Sequence, residues 1–141
     1  MAVKVYSCKK NGALKLSDNF RVREFRCKDG SDKILIADEL VTLLQKIRTH
    51  FGKPVTINSA YRNTAYNAKV GGVKNSQHVQ GKAADIVVSG VTPYDVAKYA
   101  ESIGAGGIGL YKNFTHIDCR LGKSRWDQRT GKQVVVSTFK K

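Results

Sequence analysis

Apolar residues recur with a helical period in one long stretch of the chain. Leu40, Leu43, Leu44, Ile47 and Phe51 return every three or four positions, which predicts a helix over 38–51 with one apolar stripe. Asp38 is placed to cap its start and Glu39 to favour the dipole, while Gly52 and Pro54 close it. A second helix is expected from Pro93 to about Ser102, where Thr92 offers an N-cap and Val96, Ala97, Tyr99 and Ala100 can pack. A short helical turn fits 63–68.

Runs of strand character separate these helices. Residues 22–27 alternate apolar and polar, which reads as a short strand or an extended docking piece, and 28–32 reads as a turn. Residues 55–58 predict a strand, and 83–88, rich in small and β-branched residues, a buried one. Residues 108–111 and 115–120 predict a hairpin turning at Lys112 and Asn113, and Val134, Val135 and Val136 an edge strand. The first fifteen residues are polar and basic with little period, so an extended leading segment is expected, and 70–75 should be a flexible loop. The pattern predicts an α+β fold, with helices packed on one face of a small, mainly antiparallel sheet. One domain is expected over 1–141, with a core at about 16–126, a basic N-terminal segment and a C-terminal tail.

Composition narrows the classes. A chain of 141 residues, 41% hydrophobic, can bury one real core. No apolar run approaches the roughly 18 to 20 residues of a membrane span. The N-terminus lacks an apolar h-region, so cytoplasmic synthesis without a signal peptide is expected. Cys8, Cys27 and Cys119 are odd in number and form no CxxC pair, which reads as buried or idle thiols. The net charge of +14 implies an anionic partner, either nucleic acid or the carboxylates and phosphates of a bacterial wall. The basic residues are scattered, and no zinc-finger, RNP or helix-turn-helix pattern accompanies them, so no specific nucleic acid is expected.

Two segments carry the candidate chemistry. In Ser76-Gln77-His78-Val79-Gln80-Gly81-Lys82-Ala83-Ala84-Asp85, a carboxylate follows a histidine by seven residues; in His116-Ile117-Asp118 the gap is two. Asp85 lies inside an apolar strand, where an ionised carboxylate needs compensation. His78, Asp85 and His116 can supply the three His and carboxylate ligands of a hydrolytic zinc site, and Gly81 lets the chain turn between the first two. The mixed N/O set suits zinc better than calcium. Such a metal acidifies water and polarises a carbonyl. HExxH is absent; Asp118 projects to the same strand face as His116 and is the acidic candidate for general base, while Cys119 points away. Spacing alone leaves hydrogen-bonded core or surface residues as the other reading, and leaves Arg62 as either a solvated charge or a bidentate clamp for a carboxylate. His50, at a helix end, reads as a surface residue.

Further motifs stand in order around these. Ile57-Asn58-Ser59-Ala60-Tyr61-Arg62, Gly71-Gly72, the segment from Ser76 to Ile86, Gly107-Ile108-Gly109-Leu110-Tyr111 and Phe114-Thr115-His116-Ile117-Asp118 together resemble the zinc D-Ala-D-Ala carboxypeptidase family, which includes phage endolysins and is related in structure to hedgehog domains. The resemblance spans roughly 17–126. It implies cleavage of peptidoglycan stem peptides, with Zn2+ held by His78, Asp85 and His116 and a substrate carboxylate held by Arg62. It sets Ser76 and Gln77 beside metal and substrate. Tyr111 or the amide of Gln77 is expected to support the oxyanion. Many relatives have His-x-His on the last strand, or an acid three residues before the last ligand; here those positions are Asp118 and Asn113. Asp118 therefore reads as base or as orienter of His116, and the swapped assignment puts Asp118 on the metal. An endopeptidase of the same family cutting cross-bridge or L-Ala-D-Glu bonds, a non-catalytic phage or wall-binding module, and a nucleic-acid binder are the rival readings. Family habit implies a phage or prophage lysin, a monomer that acts on bacterial peptidoglycan and anionic wall polymers after release.

Overall fold

The computed structural model describes residues 2–141. Among these, ten strands run in chain order as β1 (Val3–Ser7), β2 (Lys15–Ser17), β3 (Phe20–Arg21), β4 (Lys33–Ala37), β5 (Val55–Ser59), β6 (Ala83–Val88), β7 (Gly107–Leu110), β8 (Thr115–Asp118), β9 (Ser124–Asp127) and β10 (Val134–Val135). The helices are α1 (Cys8–Asn11), α2 (Asp38–Phe51), α3 (Thr64–Lys69) and α4 (Pro93–Ser102). Six strands form the central sheet in the order β10-β9-β7-β8-β6-β5, while β1 pairs with β4 and β2 with β3 in two small antiparallel ladders. The central sheet is mixed: β7 and β9 are parallel, and every other neighbouring pair is antiparallel. The architecture is α+β, and no described helix is long and apolar enough to cross a membrane.

The sheet's two faces differ because side chains alternate along each strand. Ala84, Ile86 and Val88 of β6, Ile117 of β8, and Ile108 and Leu110 of β7 turn to one face and are buried. Helices α2 and α4 cover that face. Helix α2 packs through Leu40, Val41, Leu44 and Ile47, and Gly52 stops it in a left-handed conformation (φ 64°) that sends its N–H back to the Arg48 carbonyl. Helix α4 begins where Thr92 accepts from the Asp95 N–H with Pro93 at its start, and it buries Val96, Ala97 and Ala100. Each fully buried aliphatic side chain contributes about 2 kcal/mol by burial.

Four sequence expectations are corrected. Residues 22–25 form a 3-10 turn rather than a strand, held by the Glu24 carboxylate accepting from the Arg21 N–H at 2.6 Å. The first fifteen residues are not merely extended: they contain β1, which pairs with β4, and the short α1, whose start Ser7 caps. The cap of α2 is Ala37; Asp38 is its first residue and pairs instead with Lys4 at 3.4 Å. The C-terminal tail is part of the packing, since Phe139 is 2% exposed in the core. Strand β9 is held beside β7 partly by Arg125, whose guanidinium donates to the Gly106 and Ala105 carbonyls at 2.7 and 2.9 Å.

Phe139→Ala should therefore destabilise the protein by about 3 kcal/mol. A urea midpoint equal to that of the parent chain would show that the tail does not pack.

Candidate metal centre

The face of the sheet away from α2 and α4 carries the polar residues. Cross-strand register sets them in one row: Ser59 of β5 pairs with Asp85 of β6, Asp85 with His116 of β8, His116 with Gly109 of β7, and Gly109 with Trp126 of β9. One row along, Asp118 pairs with both Ala83 and Gly107. Both glycines leave needed space. A Cβ at Gly107 would collide with the Asp118 carboxylate, and one at Gly109 with the Trp126 indole.

His78 reaches this row from a loop of successive turns. The Ser76 hydroxyl accepts from the His78 N–H at 3.1 Å, and the His78 carbonyl accepts from the N–H groups of Gly81 and Arg62. Gly81 (φ 75°) closes the loop, and its carbonyl accepts from the Ala37 N–H at 2.8 Å. The His78 Nδ1–H donates to the Ala60 carbonyl at 2.7 Å. A carbonyl only accepts, so Nε2 is the nitrogen left for the site, 3.3 Å from Asp85 Oδ1. On the other side of Asp85, His116 Nδ1 lies 2.9 Å from the same oxygen. His78, Asp85 and His116 are all buried, and their candidate ligand atoms lie within 4.8 Å of one another.

The donor set fits a divalent metal of zinc type: two imidazoles and one carboxylate, each imidazole held through its second nitrogen. For His78 that holder is Ala60; for His116 it is Asp118, whose Oδ2 is 2.7 Å from Nε2. Asp118 is itself clamped, since the Arg120 side chain donates to both of its oxygens at 2.7–3.1 Å and the Arg120 N–H to Oδ1. It is 0% exposed and does not line the cleft. Arg62 stands at Asp85's other oxygen (Nη2–Oδ2 3.6 Å), and Ser59 and Asn67 hold it, each accepting from the guanidinium at 3.2 Å. Asn67 also donates to the Val73 carbonyl at 2.8 Å, which ties the glycine-containing loop to the same arginine.

These residues open on a cleft of about 480 Å³. Arg62, Ser76, Gln77 and Tyr111 line it with Phe114 and Trp126, and Gln77 Oε1 is buried with no hydrogen-bond partner among the described residues. A larger groove of about 750 Å³, between α2 and the β1–β2 segment, shares no lining residue with this cleft and holds none of the converging groups.

Residues 15–118 match the family described as Peptidase M15. The chain belongs to the Peptidase M15 family. Among curated proteins it is similar to the peptidoglycan L,D-endopeptidase MepK of Escherichia coli (strain K12), with 41% identity over 73 residues, 47% of this chain and 40% of that protein. It is also similar to the zinc D-Ala-D-Ala carboxypeptidase of Streptomyces albus G, with 45% identity over 53 residues, 36% of this chain and 21% of that protein. The chain thus spans less than half the length of these relatives.

Three site residues of this M15 chain escape the sequence reading: Asn67, Arg120 and Trp126. The alternating glycines of β7 were a usable signal, because glycine inside a strand marks the close approach of another group. Arg120 stands two residues past Asp118, but nothing in that spacing shows that it turns back.

Electrostatics binds the centre together. Burial pushes the Asp85 carboxyl up, but hydrogen bonds and charge from His116 and His78 outweigh it and hold it well below the usual carboxylate range. Burial likewise opposes charge on Asp118, and its bonds with His116 and Arg120 prevail. Burial lowers His116, yet its bonds to Asp118 and Asp85 raise it to about 9. Burial pushes the Cys119 thiol up to about 11, which leaves it protonated and unreactive.

With its folded value raised above 6.5, His116 stabilises the metal-free protein fully below that pH, and the contribution is lost as pH rises through about 9. Chelator-treated protein should therefore melt at progressively lower temperature across that window, and Asp118→Asn should flatten the dependence. Metal uptake near neutral pH should release about one proton from His116, readable in weakly buffered solution; uptake without proton release would contradict the His116 assignment.

Proposed function

We propose that this chain is a zinc-dependent peptidase that hydrolyses amide bonds of peptidoglycan stem peptides. The observation that carries this reading is the meeting of His78, Asp85 and His116 beside Arg62 in one cleft. His78 Nε2, an Asp85 oxygen and His116 Nδ1 would hold the metal. When bound, zinc supplies a Lewis acid that polarises a carbonyl and acidifies water. Arg62, braced by Ser59 and Asn67, takes a terminal or side carboxylate of the substrate and so sets which amide meets the centre. Ser76 holds the His78 backbone, and the orphan Oε1 of Gln77 suits a substrate N–H. Tyr111 offers a hydroxyl to the oxygen that gains charge.

Asp118 acts on His116 rather than on substrate. It is out of the cleft with its oxygens taken by His116 and Arg120, so orienting the imidazole suits it better than serving as general base. Within the class, the longer stretch of likeness to proteins named L,D-endopeptidase favours the endopeptidase form over the carboxypeptidase form. The charge of +14 suits adhesion to an anionic wall polymer.

Digestion of defined muropeptides, read by mass, tests the reading. The zinc-loaded protein should cleave them and His78→Ala should be slower by at least about 100-fold. Scission of cross-linked dimers marks an endopeptidase, and release of a terminal residue alone marks a carboxypeptidase. Stoichiometric zinc with no product would sink the peptidase reading in favour of a binding module. Lysis of intact wall fragments should fall with added salt, and equal rates at low and high salt would remove the adhesion role.

A further inference from the structure

Trp126 is the chain's one tryptophan, and its place in the row brings its indole against the His116 imidazole, with ring centroids 5.0 Å apart. It is 9% exposed. The Arg120 guanidinium lies over it at 5.5 Å, and Gly109 lacks the side chain that would displace it. Its Nε1–H donates to the Tyr111 hydroxyl at 3.1 Å. Tyr111 also stacks on Phe114, with centroids 4.3 Å apart and planes 12° from parallel. The plane of the phenol and the position of its oxygen are therefore both held.

What remains free is the direction of the phenol's own proton. An indole N–H donates and does not accept, so Tyr111 cannot turn its O–H toward Trp126. The hydroxyl accepts from the indole and must donate elsewhere. Tyr111 lines the cleft together with Asp85 and Arg62.

We propose that Trp126 is a positioning residue: its indole N–H occupies the Tyr111 oxygen and so directs the Tyr111 O–H into the cleft, onto the amide oxygen that gains negative charge during cleavage. The inference rests on the peptidase reading above. It requires the N–H group itself. If Trp126 only filled space, a phenylalanine in its place would serve nearly as well.

The test uses zinc-loaded Trp126→Phe, Tyr111→Phe and the double variant on a defined cross-linked muropeptide, each checked for bound zinc equal to that of the parent chain. Tyr111→Phe should lower kcat by about 100-fold, as loss of one donor to a developing oxyanion does. Trp126→Phe should lower kcat by about tenfold, a fraction of that donor's effect, with KM within about twofold. The double variant should be no slower than Tyr111→Phe, since the indole acts only through the phenol. Multiplied losses in the double variant, or a parental kcat in Trp126→Phe, would overturn the proposal. Intrinsic emission gives a second readout that needs no activity: Tyr111→Phe removes the acceptor of the sole indole N–H and should shift its emission to shorter wavelength. Unchanged emission would also overturn it. A parent chain that cleaves no muropeptide would refute the peptidase reading, and the emission comparison would still decide whether the indole holds the phenol.

Discussion

The pairing register of β6 with β8 is the constraint on which the site depends. Asp85 stands directly opposite His116, and directly opposed residues share a face. A slip of one residue would turn Asp85 toward α2 and α4 and bring Ala84 or Ile86 to the cleft. The apolar face resists that slip. Ala84, Ile86, Ile108, Leu110 and Ile117 are buried under the helices, and exposing such a set costs on the order of 10 kcal/mol. A whole domain is stable by only about 5–15 kcal/mol. The hydrophobic core on one side of the sheet thereby specifies the polar geometry on the other.

Strand β7 makes a different contribution, through what it lacks. Gly107 and Gly109 present bare backbone to the polar face, and the Asp118 carboxylate and the Trp126 indole occupy the space. Glycine inside a strand costs roughly 0.5–1 kcal/mol relative to alanine. Here that loss is offset by the burial of a tryptophan and by a carboxylate set directly behind the His116 imidazole.

The centre also balances charge in depth. Asp85 lies between two imidazoles and Arg62, and Asp118 between His116 and Arg120. Removing one partner of a buried ion pair typically costs about 3–5 kcal/mol, because the other charge is left without compensation. This interdependence raises the His116 pKa, because its two ring nitrogens face Asp85 on one side and Asp118 on the other. The same network fixes both rings, with the Ala60 carbonyl holding His78 and Asp118 holding His116.

Much of this was legible in local pattern. The stripe of Leu40, Leu44 and Ile47 marked α2, Thr92 and Pro93 marked α4, and strand alternation put His116 and Asp118 on one face. Alternation misled at 22–27, where short apolar spacing serves a 3-10 turn as well as a strand. Residue types, periodicities and turn signals belong to the sequence by itself, because they arise from neighbours a few positions apart. Only tertiary structure decided that Asp85, His116, Gly109 and Trp126 form a single row, that Arg120 folds back onto Asp118, and that Arg62 leans on Asn67. Those relations depend on which strand pairs with which and in what register, and pairing between distant segments is set by the burial of the whole apolar face.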